Sequence, residues 1–151
     1  MQIIKDRQII ENNWSFIEDN QALPMGNVII SLSRWQAEKP QLKQHATQLG
    51  LRLQSSDNVA DIAQDLAHFD LIELHFPVFT DGRGFSQAKL LRDRYQYTGE
   101  IRASGHFMVD QVFYMTKVGI NAFDLNDEKQ LPLAISLMDD FSVSYQELLF
   151  A

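Results

Sequence analysis

The chain has 151 residues, 45% of them hydrophobic and 22% charged, so one domain with a substantial core is expected and disorder is not. It holds no cysteine, which excludes disulfides, zinc–thiolate sites, thiol redox chemistry and iron–sulfur ligation by its own side chains. Acidic residues number 20 against 13 basic ones, a net charge of −7, which argues against broad nucleic-acid binding.

No apolar run approaches the roughly 20 residues of a spanning helix. The opening stretch Met1 to Arg7 lacks the basic-then-apolar order of a signal peptide. A cytoplasmic location without a membrane partner is therefore the expectation.

Residues 1–18 hold β-prone runs at Gln2 to Ile4, Gln8 to Ile10 and Trp14 to Ile17, with turn-like Lys5-Asp6-Arg7 and Glu11-Asn12-Asn13 between them. This predicts an N-terminal β-hairpin or meander. Asp19 to Gly26, with Pro24, reads as a connection. Asn27 to Leu32 is a buried strand by its Val-Ile-Ile run. Ser33 is placed to cap a helix over residues 34–49, in which Pro40 either breaks the helix or marks its true first turn. Gly50 fits the stop of that helix. Leu51 to Leu53 reads as a second strand, and Ser55 to Asn58 supply caps for a helix with Val59, Ile62, Ala63 and Leu66 on one face.

Leu71 to Phe76 is the central strand, closed by Pro77. The turn Thr80-Asp81-Gly82-Arg83-Gly84 follows, then a helix with Phe85, Ala88, Leu91 and Tyr95 on one face, ended by Thr98-Gly99. Glu100 to Ala103 is the next strand, and Ser104-Gly105-His106 another strand-to-helix turn. Asp110 is placed to cap a helix that Gly119 closes, and Asn121 to Leu125 is a further strand. Asn126-Asp127-Glu128 leads into a last helix over Leu131 to Phe141, and the tail from Ser142 to Ala151 reads as a final strand or helical turn. The βα units over 27–141 predict an α/β fold: one domain, residues 1–151, with a mainly parallel five-stranded sheet and helices packed on it. An open doubly wound sheet suits five strands better than a barrel of about 250 residues; a half-barrel-like layout stays open.

Ligands of parallel sheets gather where strands run into helices. There the candidate binding residues are Thr80, Asp81, Gly82, Arg83, Gly84, Ser86 and Gln87, with Arg92, Arg102, Asp110 and Gln111 on neighbouring elements. Two readings compete. In one, glycines and a helix N-terminus cradle a small anion that Arg83 clamps. In the other, the glycines only turn the chain, Asp81 bonds local N–H groups and Arg83 pairs with a carboxylate. Residues 83–94 carry Arg83, Lys89, Arg92 and Arg94 against Asp93, a local basic patch, whereas residues 101–151 hold three basic and seven acidic residues. No Gly-Lys-Ser/Thr follows the glycines and no third glycine completes a dinucleotide fingerprint, so no nucleotide cofactor is evident. Of the histidines, His75 and His106 lie at strand ends, but no ligand spacing supports a metal, and His75 reads as packed or partly buried. Gly-x-Ser-x-Gly is absent, and no catalytic residue is assigned.

The run from Phe76 to Leu125 resembles a bacterial family of uncharacterised conserved proteins. The likeness is carried by Phe76-Pro77, Phe79, Asp81 to Ala88, Leu90-Leu91-Arg92, Gly99 to Ala103, Gly105, Asp110-Gln111, Gly119 and Ala122-Phe123, with Trp35 and Asp70-Leu71-Ile72 also similar. The chain departs from the pattern at His106 and Asn121, where aspartates are usual, and at Val118, where a cysteine is common; the last speaks against an essential thiol. The family is a domain of unknown function often encoded beside the haemoprotein subunit of sulfite or nitrite reductase. Its label, an oxidoreductase of sulfite reduction, comes from that neighbourhood. The resemblance implies an accessory or binding protein of assimilatory sulfite reduction, taking a small anion at the 80–87 turn or docking to the reductase haemoprotein. A small enzyme of the same pathway, centred on Asp81, Arg83 and Asp110, is the alternative; a structural interaction domain is a third. Oligomeric state stays open.

Overall fold

The structure is a computed structural model and describes residues 1–45 and 48–139. Eight strands form one sheet: β1 (Gln2–Lys5), β2 (Gln8–Glu11), β3 (Trp14–Phe16), β4 (Asn27–Ser31), β5 (Leu49–Leu53), β6 (Leu71–Phe76), β7 (Glu100–Gly105) and β8 (Ala122–Phe123). Their spatial order is β2-β1-β8-β7-β6-β5-β4-β3. Neighbours from β3 to β8 pair in parallel, while β1 pairs antiparallel with both β8 and β2.

This corrects the expected sheet. The five strands from residue 27 onward are parallel neighbours, but the N-terminal segment does not stand apart from them. Trp14-Ser15-Phe16 becomes a sixth parallel strand, and the β1–β2 hairpin extends the opposite edge. The sheet is mixed and eight-stranded. It is also wound in one direction, because strands β3 to β8 follow one another in space as in sequence. Its two outermost strands, β2 and β3, are joined by only Asn12 and Asn13. Two residues span little distance, so the sheet must curl until its edges approach. The sheet is curled and wound one way, not the open doubly wound sheet of the expectation.

Alternate residues along a strand face opposite ways. One set, including Leu51, Ile72, Leu74, Ile101 and Phe123, joins the helices in a single apolar core. Trp35 anchors that core, fully buried against Phe69 with its Nε1–H donating to Asp65 at 2.9 Å. The other set carries charge and faces the inside of the curl.

The helices are shorter than the periodicity predicts. Helix α1 spans Leu32–Leu42, capped by Ser31 rather than Ser33, since the Ser31 hydroxyl accepts from the Arg34 N–H at 3.1 Å. Pro40 lies inside it after a kink at Glu38. Gly50 is no helix stop. It sits in β5 on the inner face, where an added Cβ would lie within 3.1–3.2 Å of Ile29, Leu71 and Trp14. Val59–His68 is a 3₁₀ helix capped by Asn58. Helix α2 (Arg83–Lys89) continues as a π-helical turn, Leu90–Arg94. A 3₁₀ turn, Val109–Gln111, leads into α3 (Val112–Lys117). Its cap position is Met108, whose N–H is bonded by the Gln111 side chain at 2.8 Å, so Asp110 is not the cap. Residues 131–139 are helical; Phe141 and the tail reading lie outside the described residues. Among the described residues no helix is long and apolar enough to cross a membrane.

Candidate functional site

The eleven residues singled out in the sequence divide among several places. At the turn after β6, Asp81 takes the donors that an anion would need. Its Oδ1 accepts from the Arg83 N–H at 3.0 Å and from Arg83 Nε at 3.1 Å, and its Oδ2 from Arg83 Nη2 at 2.7 Å. These bonds hold the Asp81 carboxyl well below the usual carboxylate range. Arg83 also donates to Ser55 at 2.9 Å, tying α2 to the loop after β5. Gln87 is buried and braces the same loop, donating to the carbonyls of Gln54 and Asp57. Gly84 is buried, while Thr80, Gly82 and Ser86 are exposed.

Arg92 lies elsewhere. From the π-helical turn its guanidinium donates to the carbonyls of Gly119, Tyr97 and Gly99 at 2.7–3.0 Å, fastening the chain entering β7 to the chain entering β8. Arg102 is 2% exposed inside the curl. Asp110 is exposed beside Gln111, whose Nε2 donates to the Phe79 carbonyl at 3.2 Å. Asp81, Arg83 and Ser55 are thus brought together; Arg92, Arg102 and Asp110 do not join them.

The inner face holds a second set of chemical groups. Cross-strand register places Arg52 beside Glu73, Glu73 beside Arg102, and His75 beside Ser104. Arg52 Nε donates to Glu73. Arg102 donates to Glu100 through Nε at 2.8 Å and to Asn12 through Nη1 at 3.0 Å, and Lys5 pairs with the other Glu100 oxygen at 3.3 Å. These last groups adjoin a polar cavity of about 200 Å³ at the amino ends of the strands, bordered by Trp14, Asn27 and Gln48.

At the carboxyl ends, His75 Nδ1 and Ser104 Oγ share a hydrogen bond of 3.1 Å. Burial, with the Arg52 charge, pushes the His75 imidazole below its ordinary value, so it is neutral at pH 7. Asp124 continues the ladder past β8, its N–H donating to the Ala103 carbonyl at 2.9 Å. Burial raises its carboxyl above the ordinary range, and Glu73, Arg102 and Arg52 all act on its charge. Sequence reasoning missed this set apart from His75, Arg102 and the turn residue Ser104. The signal was there: Leu51-Arg52-Leu53, Ile72-Glu73-Leu74-His75 and Ile101-Arg102-Ala103 alternate apolar and polar residues, as strands between a core and a polar interior must.

Gly105 fixes the rim of this site. Its φ is +90°, and an added Cβ would lie 2.4 Å from the Phe76 carbonyl oxygen and 2.9 Å from the His75 ring. Gly105→Ala is therefore expected to lose more than about 1 kcal/mol of stability, read as a lower urea midpoint. An unchanged midpoint would mean that the rim relaxes freely.

Among the described residues no group of three histidine or acidic side chains is arranged to hold a metal ion. A family model described as bacterial protein of unknown function (DUF934) matches residues 50–149. No curated protein and no solved structure matches the chain.

Proposed function

We propose, from the premise that the chain belongs to the bacterial DUF934 family of unknown function, that it is an accessory binding protein of assimilatory sulfite reduction. In this reading it is cytoplasmic and docks to the reductase haemoprotein subunit through the rim at the carboxyl ends of its strands. The pathway rests on the resemblance carried by the Asp81-Gly82-Arg83-Gly84 turn and its neighbours. One observation carries the docking surface: Val78, Phe79 and Met108 stand 48–53% exposed on two adjacent rim loops. Gln111 staples those loops together, bonding Met108 N–H and the Phe79 carbonyl. A group of large apolar side chains, held out from a protein of net charge −7, is a surface suited to a partner.

A small anion at the 80–87 turn remains part of this reading. It would have to replace Asp81 on the Arg83 fork, so sulfite and sulfate are expected to bind there weakly.

Co-purification with the haemoprotein subunit tests the proposal. Phe79→Asp is expected to weaken association about thirtyfold, as central apolar contacts do, and raising salt should weaken it further. Deletion of the gene should impair growth on sulfate but not on cysteine. Absence of co-purification together with normal growth on sulfate, in a strain without a second copy, would overturn the reading.

A further inference from the structure

At the carboxyl-end mouth of the curl, three polar side chains keep atoms that make no hydrogen bond to a described residue. Arg52 is engaged through Nε alone, leaving both terminal nitrogens unbonded, although its guanidinium lies 3.6 Å from the centre of the Phe16 ring. His75 uses Nδ1 for Ser104 and leaves Nε2. Asp124 bonds through its backbone only. The Arg52 side chain is 19% exposed, and His75 and Asp124 are half-buried, so a small molecule has access to each. Strand register puts Arg52, His75 and Asp124 on one concave face at the strand carboxyl ends, and uncommitted polar groups gathered there mark a place for a ligand.

Charge balance selects the ligand. At this mouth the Arg52 cation stands against the carboxylates Glu73 and Asp124, while Lys5 and Arg102 pair with Glu100 toward the amino-end cavity. A bare oxyanion would add to that negative charge in a partly desolvated place. A ligand carrying both signs leaves the balance untouched. Reach agrees: β5 and β8 are three inter-strand steps apart, about 14 Å along the sheet. A ligand that joins the Arg52 guanidinium to the Asp124 carboxylate has to bridge the part of that span which the two side chains leave open.

We propose that this mouth binds a small zwitterion of the α-amino-acid type, its carboxylate on the Arg52 fork and its ammonium on Asp124. His75 Nε2 then stands at the rim for the ligand's side chain. The site is separate from the docking rim residues, and its test does not depend on any partner protein.

Titration calorimetry with each of the twenty standard amino acids, and with acetate, methylamine, sulfate and phosphate as single-sign controls, examines this on the native chain. At least one amino acid should bind saturably and at least tenfold more tightly than any control. Asp124→Asn is expected to leave the fold intact because that carboxyl makes no hydrogen bond to a described residue, and it should weaken the amino acid at least tenfold. Arg52→Lys should do the same, and circular dichroism confirms its fold. No amino acid binding at millimolar concentration, equal affinity for sulfate or phosphate, or unchanged binding by folded Asp124→Asn would each overturn the assignment.

Discussion

Replacing Arg102 by methionine is expected to remove about 3–5 kcal/mol of stability, the cost of leaving a buried carboxylate without its partner. Arg102 and Glu100 are both almost wholly buried, and Glu100 Oε2 receives both Nε and Nη2 of the arginine. Lys5 still reaches Glu100 in the variant, but from a side chain 42% exposed, so it offsets little of the loss. Asn12 loses a donor as well, although its Oδ1 keeps the Trp14 N–H at 3.0 Å. Urea unfolding with an unchanged slope measures the effect. A double variant, Arg102→Met with Glu100→Leu, should recover most of it, because replacing both members of a buried pair by apolar groups is often neutral. A single-variant loss below about 1 kcal/mol would mean that water already solvates this layer.

Leu74→Ala acts on the opposite face of the same sheet. Leu74 is fully buried in β6, with Leu53 and Ala103 as its cross-strand neighbours. Removing three carbons beside an alanine leaves a void that its neighbours cannot fill, so a loss of about 2–5 kcal/mol is expected, toward the upper end. A change below about 0.5 kcal/mol would put β6 at a surface and contradict its place between β5 and β7.

All eight strands were legible as short β-prone runs bounded by turns, because local alternation and punctuation belong to the sequence itself. Their assembly was not. Nothing local tells Trp14-Ser15-Phe16 to run parallel beside Asn27 to Ile29; that follows from a side-chain fit across the inner face, with Gly50 making room for Trp14. Gly50 looked like a helix stop for the same reason, since a glycine after an apolar helix pattern and one under a tryptophan read alike. Asp110 looked like a cap by residue type, but the Gln111 side chain reaches the Met108 N–H instead. The 80–87 turn was legible as a glycine-bearing strand-to-helix connection, and one of its two readings foresaw Asp81 on its local N–H groups. Arg92 and Arg102 illustrate what pattern cannot supply. Ten residues apart in sequence, one fastens backbone carbonyls and the other crosses the inside of the curl.

The pairing of Ile4 with Phe123 sets an order of events on the ribosome. Synthesis proceeds at about 5–20 residues per second, so β1 waits on the order of ten seconds before β8 has been made. Throughout that interval Ile3 and Ile4, both fully buried in the finished sheet, lack the β8 edge, and any hairpin they form with β2 is marginally stable alone. A strand edge left open in this way pairs readily with another nascent chain. The first eleven residues are thus the segment that waits longest for its sheet partner, and the one whose shielding during synthesis would matter most.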